Sequence, residues 1–160
     1  IVGSFIMHHQ DQAHATGMTL LAASIPSDLP EVKGDAMLLT QALSELVENA
    51  LIFTVGSEQS APGGRVTLHV APVMDAGTTW VTIAVQDTGP GIPSEEQEKV
   101  FERFFRGCQA EIGNIQGTGL GLSIVHKIMQ AHGGRVTVES TIGEGSTFTL
   151  WLRSSPHVHN

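Results

Sequence analysis

Three glycines alternate with other residues at Gly117-Thr118-Gly119-Leu120-Gly121-Leu122 and run straight into an apolar pattern of helical spacing. A strip of that kind is nearly bare backbone ending at a helix N-terminus. Free amides and the positive end of the helix dipole make such a place a seat for phosphate. Glycine also lets the chain approach a ligand closely in dihedrals closed to other residues. Two commoner glycine-rich patterns do not fit. The dinucleotide pattern G-x-G-x-x-G fails because position 122 is Leu, and a P-loop fails because no Lys lies in the run. Thirty positions upstream, Asp87-Thr88-Gly89-Pro90-Gly91 sets a lone carboxylate in a second glycine-rich turn. Together the two segments predict a nucleotide pocket.

The chain has 160 residues, enough for one domain with a sizeable core, and its 41% hydrophobic content is that of a globular protein. No apolar run is read as long enough for a bilayer span, and Ile1-Val2-Gly3 opens no signal-peptide pattern. The single Cys108 excludes an internal disulfide and suits a reducing, cytoplasmic setting. Sixteen acidic against eight basic side chains give a net charge of −8, which argues against nucleic acid as a partner. Lys99, Arg103 and Arg106 nevertheless fall within eight positions. Such a cluster is either a solvated helix face or an anion clamp.

Residues 1–14 are polar and His-containing, without a clear period. Residues 19–25 read as a strand broken by Pro26 and Pro30. Asp35 then caps a helix from Ala36 to about Thr54, with Leu39, Leu43, Leu46 or Val47, and Ala50 at helical spacing. Arg65 to Val70 and Trp80 to Asp87 alternate as strands around the turn Asp75-Ala-Gly77. A short helix is expected over Glu95 to Phe105 and a loop over 107–116. A second long helix follows from about Leu120 to His132, stopped by Gly133-Gly134. Two closing strands, around Val136–Val138 and Phe148–Leu152, flank the turn Gly143-Glu-Gly145. Hairpins outnumber parallel crossovers, so the class is α+β: helices on one face of a mostly antiparallel sheet.

Asp87 shares strand parity with Val81, Ile83 and Val85, so its carboxylate points to the apolar side. Burial there requires donors. The amides of Gly89 and Gly91 and the amino edge of a purine would supply them. Glu45 and Asn49 lie four apart, on one side of the first long helix in consecutive turns. A carboxylate and an amide oxygen so placed could hold a magnesium ion and orient a water.

Five segments resemble, in order, the boxes of sensor histidine kinases. Glu45-Leu-Val-Glu-Asn49-Ala50-Leu-Ile-Phe53-Thr54 looks like the N box, and Asp87-Thr-Gly-Pro-Gly91-Ile92 like the first glycine box. Phe101-Glu-Arg-Phe104-Phe-Arg106 looks like the F box. Gly117-Thr-Gly-Leu-Gly121-Leu is similar to the second glycine box, and Gly143-Glu-Gly-Ser-Thr147-Phe148 to the third. The resemblance spans roughly residues 19 to 152. It implies the Bergerat ATP-binding fold, a two-layer α/β sandwich with a mixed, mostly antiparallel sheet and helices on one face. It further implies a linker at 1–14, disordered or left from a preceding dimerisation segment, a catalytic domain at 15–153 and a C-terminal tail at 154–160.

Carried over by position, the resemblance assigns Asp87 to the adenine amino group, with Gly89, Gly91 and Ile92 walling the base. Thr147 would support Asp87 through water, and Phe53 would pack near the base. Asn49 would bind Mg²⁺ beside the triphosphate, while Gly117, Thr118, Gly119, Leu120, Gly121 and Leu122 would wrap the phosphates. Residues 107–116 would form a lid over the nucleotide. Arg106, with Arg103, would approach the γ-phosphate, where charge develops in transfer, and Lys99 or an arginine would stand in for a missing base. That base is the Lys or Arg the N box usually carries where this chain has Ile52. Phe101, Phe104 and Phe105 would anchor the lid, meet a partner domain or serve as core aromatics.

Glu45 stands where the kinases usually have Asn and gyrase-like ATPases have Glu as general base. None of His8, His9, His14, His69, His126 or His132 has the sequence context of the family's phospho-accepting histidine. The implied function is a kinase catalytic domain that binds Mg-ATP and donates the γ-phosphate to a His on a separate dimerisation domain. A response regulator receiver domain would lie downstream, with no nucleic-acid or membrane contact and a monomeric state in isolation. The alternatives are a non-catalytic nucleotide-binding switch, a gyrase- or MutL-like ATPase, and an anti-sigma-type serine kinase.

Overall fold

The computed structural model describes residues 1–15, 17–23, 25–55, 64–107 and 120–155. Alternation in the sequence becomes five strands: β1 (Thr19–Ala22), β2 (Arg65–Asp75), β3 (Thr78–Asp87), β4 (Arg135–Thr141) and β5 (Gly145–Arg153). They form one sheet in the order β1-β2-β3-β5-β4. Only the β1–β2 pairing is parallel; the other three are antiparallel, as hairpin-rich patterning predicts. The β2–β3 hairpin turns through Ala76 and Gly77, both at positive φ (48° and 76°), the tight connection whose twist matches paired strands.

Three helices, α1 (Val2–Ala15), α2 (Ala36–Val55) and α3 (Gly121–Ala131), complete the domain. The inward parity of the sheet carries Val66, Leu68, Val85, Phe148 and Leu150, all buried. Against them lie Leu43, Leu46 and Val47 of α2 and Val125 and Met129 of α3, also buried. Each fully buried aliphatic side chain contributes about 1.5–3 kcal/mol, so these rows decide which face of each helix turns inward.

Asp35 caps α2 as its sequence position predicts: Oδ1 accepts the amides of Met37 and Leu38 at 2.9 and 3.0 Å. At the end of α3, Gly133 (φ 65°) and Gly134 close a Schellman turn, with Gly134 N donating to the Met129 carbonyl at 2.9 Å. The His132 ring joins the two ends. Its Nε2 accepts the Asp35 amide at 3.0 Å, so Nδ1 carries the proton donated to the Ile128 carbonyl at 2.7 Å.

Three expectations change. Residues 2–15 are helical rather than irregular, with Phe5, Ile6 and Ala13 buried in the core. Only one narrow stripe of α1 is apolar, too little for its period to stand out in the sequence. The expected helix over 95–105 is a series of turns with one 3-10 turn at Lys99–Phe101, because Glu102 goes extended (ψ 143°) and Phe104 adopts φ 63°. Finally, Ala36–Thr54 does reach the length and mean hydropathy of a bilayer span. Its inward face is nonetheless the domain core; the excess hydropathy comes from Met37, Leu38 and Ile52, which are exposed.

Candidate functional site

Glu45, Asn49 and Phe53, all half-buried, lie one above another on α2 beside its buried stripe, each a helical turn apart. At its lower end, the Phe53 backbone abuts the first glycine box: a Cβ on Gly89 would stand 3.6 Å from the Phe53 carbonyl. At its upper end, a Cβ on Gly121 would stand 2.7 Å from Glu45 Oε2. Eight residues of helix rise about 12 Å, so one face of α2 spans from the Asp87 turn to the start of α3 with Asn49 between them. Asn49 is half-buried, and its side-chain amide makes no hydrogen bond to any described residue.

Asp87 ends β3 inside the protein, only 6% exposed. Its Oδ1 accepts the amide of Gly89 at 2.9 Å and that of Ser146 at 3.3 Å. Oδ2 accepts nothing from the described residues. Burial pushes the carboxyl up to about 6 from its ordinary 3.8, and the two amide bonds offset only part of that. The expected donor pair Gly89 and Gly91 is thereby corrected. Gly91, at φ 79°, serves a different need: a Cβ there would collide with the Thr141 carbonyl at 2.3 Å.

Thr147 makes no direct bond to Asp87. It pairs with Gln86, on the strand parity opposite to Asp87, and shares with Asp87, Gln86, Glu139 and Ser146 the lining of a shallow recess of about 190 Å³. The residue that reaches Asp87 is Ser146, one position earlier and on the same parity as buried Phe148, Leu150 and Leu152. That signal lay in the alternation of β5, extended two residues upstream of Phe148. Sequence reading placed Gly145 in the closing turn and the third glycine box without a role beside Asp87. At φ 128° a Cβ there would fall 2.0 Å from the Asp87 carbonyl oxygen, so only glycine lets β5 cross this corner.

The α3 end of this helix face is more open. Among the described residues no side chain caps α3 at Leu120, and the Ser123 hydroxyl is used in donating to the Leu120 carbonyl at 2.8 Å. The first-turn amides of α3 thus have no side-chain cap among the described residues, and the Glu45 carboxylate lies beside Gly121. Desolvation first, and the neighbouring Glu48 second, raise the Glu45 carboxyl above its ordinary value. Leu120, Gly121 and Leu122 are half-buried at this corner. Gly117, Thr118, Gly119 and Cys108, with nearly all of the expected lid, lie outside the described residues.

The F box divides. Phe101 packs edge-on to Phe148 and over His126 (centroids 6.1 and 6.0 Å), and Phe105 packs against the core cluster. Phe104 is 66% exposed, with the Arg103 guanidinium 5.5 Å from its ring. Lys99, Arg103 and Arg106 are all exposed on this segment. Ile92 is half-buried and packs on the core.

Residues 34–156 match the pattern of the histidine kinase-, DNA gyrase B- and HSP90-like ATPases. The chain belongs to this family. It is 38% identical to the sensor histidine kinase Hik2 of Synechocystis sp., over 99% of this chain and 37% of Hik2. It is 39% identical to the adaptive-response sensory kinase SasA of Crocosphaera subtropica, over 82% of this chain and 32% of SasA. The chain thus spans about a third of the length of these curated relatives. Among solved structures, the mycobacterial sensor histidine kinase MprB is similar with TM-score 0.74 and 26% identity, covering 97% of both chains. Full-length ShkA in complex with AMPPNP is similar at TM-score 0.74 and 30% identity, covering 96% of this chain and 30% of ShkA. The fold and these relatives make the chain an ATP-binding catalytic domain of the sensor histidine kinase type.

Proposed function

We propose that this catalytic domain seats adenine against Asp87 and the triphosphate along α2 toward the start of α3. From there it donates the γ-phosphate to a histidine on a separate dimerisation domain of the same polypeptide. The observation that carries this reading is the single helix face joining a buried carboxylate, its Oδ2 open, to a helix N-terminus that no described side chain caps. In this reading Gly89, Gly91, Ile92 and Phe53 wall the base, and Gly117 through Leu122 hold the phosphates. Asn49 fits a magnesium ligand because its amide is half-buried and makes no hydrogen bond to the described residues. The ion would neutralise phosphate charge. Arg106, with Arg103 and Lys99, supplies positive charge near the transferred group. The chemistry asked of this chain is positioning and charge stabilisation, not a covalent intermediate. A response regulator receiver domain takes the phosphoryl group onward, in a cytoplasmic setting.

The test is transfer. The domain is mixed with a dimerisation hairpin bearing its histidine and with γ-labelled ATP. Acid-labile label on that histidine is expected; nucleotide binding without any transfer would reject the kinase reading in favour of a nucleotide-dependent switch.

One observation favours a second activity. Glu45 lies at the phosphate end with its carboxyl raised, as a general base for water requires. Slow ATP hydrolysis by the domain alone is then expected to drop at least about a hundredfold in Glu45→Gln, the contribution of one general base. Equal rates in the two proteins exclude Glu45 as the base.

A further inference from the structure

One hydroxyl ties β4, β5 and the first glycine box together beside Asp87. Ser140 Oγ, on β4, accepts the Ile92 amide at 2.7 Å, donates to the Gly145 carbonyl at 2.9 Å and meets Ser146 Oγ at 2.8 Å. A serine hydroxyl has one proton and two lone pairs, so with its proton on Gly145 it must accept from Ser146, and its capacity is full. Gln97 adds a second strap: its Nε2 donates to the carbonyls of Ile92 and Ser140, both at 3.1 Å. The Gly143 amide adds a third, to the Pro90 carbonyl at 2.8 Å. Both polar backbone atoms of Ile92 are thereby fixed to a hairpin 48 residues further along the chain.

We infer that Ser140 is a positioning residue that sets base specificity. It holds Ser146 and the first glycine box so that both amides stay on Asp87 Oδ1 and Oδ2 alone faces the ligand. The inference rests on the adenine reading above and specifies how that site chooses its base. A lone carboxylate oxygen held in this way accepts from a 6-amino purine, whereas a 6-oxo purine turns an oxygen toward it. Loosening the hairpin lets the Ser146 amide retreat and the carboxylate rotate, which degrades the choice of base. It leaves the phosphate end untouched, because none of the three straps reaches α2 or α3.

The experiment compares the wild-type domain with Ser140→Ala, Ser140→Thr and Gln97→Leu. Dissociation constants for non-hydrolysable ATP and GTP analogues are measured by calorimetry or competition, with thermal melts alongside. Ser140→Ala is expected to weaken the ATP analogue about tenfold, the order of one lost hydrogen bond to a charged group, and to change the GTP analogue less than about twofold. Ser140→Thr, which keeps the hydroxyl, should return the ratio to within about threefold of wild type, and Gln97→Leu should lower it about threefold. Carbon NMR of the Asp87 carboxyl supplies a readout that mere stability loss does not move: its midpoint, near 6 in the wild type, should rise in Ser140→Ala as the Ser146 amide withdraws.

An equal loss for both nucleotides, or an unchanged ratio in a folded Ser140→Ala, overturns the inference. If Ser140→Ala does not fold, an unchanged ratio in Gln97→Leu overturns it equally. A wild-type domain with no preference for the ATP analogue overturns the adenine reading itself, and this inference with it.

Discussion

The two ends of the site are built differently. At the Asp87 end, amides and hydroxyls from β3, β4, β5 and the first glycine box are bonded to one another, and backbone passes too closely to admit a Cβ at Gly91 or Gly145. At the α3 end, a Cβ on Gly121 would meet only the tip of the half-buried Glu45 side chain, and no backbone crowds the turn among the described residues. A rigid pocket suits a base of fixed shape that must be told from others. An open one suits phosphates that move during transfer and a partner that must reach them.

Removing glycine at each end should break the comparison most sharply if it is wrong. Gly145→Ala is expected to destabilise by about 3 kcal/mol or more, since the Cβ meets backbone and φ is strained. Chemical denaturation measures it, and a loss under about 1 kcal/mol would show that the corner yields. Next comes Asp87→Asn, which keeps an oxygen for the two amides but turns an NH₂ toward the base. Affinity for an ATP analogue should fall at least about a hundredfold, the scale of a buried donor facing a donor.

The same carboxyl sets a pH trend in the nucleotide-free domain. Its folded value, about 6, lies above the ordinary 3.8, so the native state binds the extra proton between those values. Stability should therefore decline as pH rises from about 4 to about 6 and then level, by roughly 3 kcal/mol in all. Asp87→Asn should flatten this slope and melt no lower than wild type at pH 7. A slope that persists in Asp87→Asn assigns the effect to other groups.

At the open end the effects shrink. Gly121→Ala meets only the tip of Glu45, which can swing aside, so stability should change by less than about 1 kcal/mol, with alanine's better helix propensity on its side. A loss as large as that of Gly145→Ala would erase the contrast between the ends. Phe104→Asn is the smallest: asparagine tolerates the left-handed backbone at φ 63°, and the ring is exposed, so the melt should hold or gain the equivalent of about 0.5 kcal/mol. A clear loss would mean that the Phe104 ring supports the fold.

The sequence by itself determined what depends on neighbours along the chain. Asp35 had to cap α2, Gly133-Gly134 had to end α3, and parity had to turn Asp87 inward, because caps, turns and alternation are local geometry. The glycine boxes were legible for the same reason, as places where a side chain would be in the way. α1 and the segment after Pro93 were less so, since a single buried stripe and one left-handed Phe104 decide them. Alternation in β5 points Ser146 inward, but only the tertiary structure could put its amide on Asp87 in place of that of Gly91, or tie Ser140 and Gln97 to the same corner. Those bonds join residues 43 to 59 positions apart, and they exist only because β5 lies between β3 and β4 in one particular register. Register is settled by packing the whole inward face against α2 and α3, an energy summed over the core and written in no single segment.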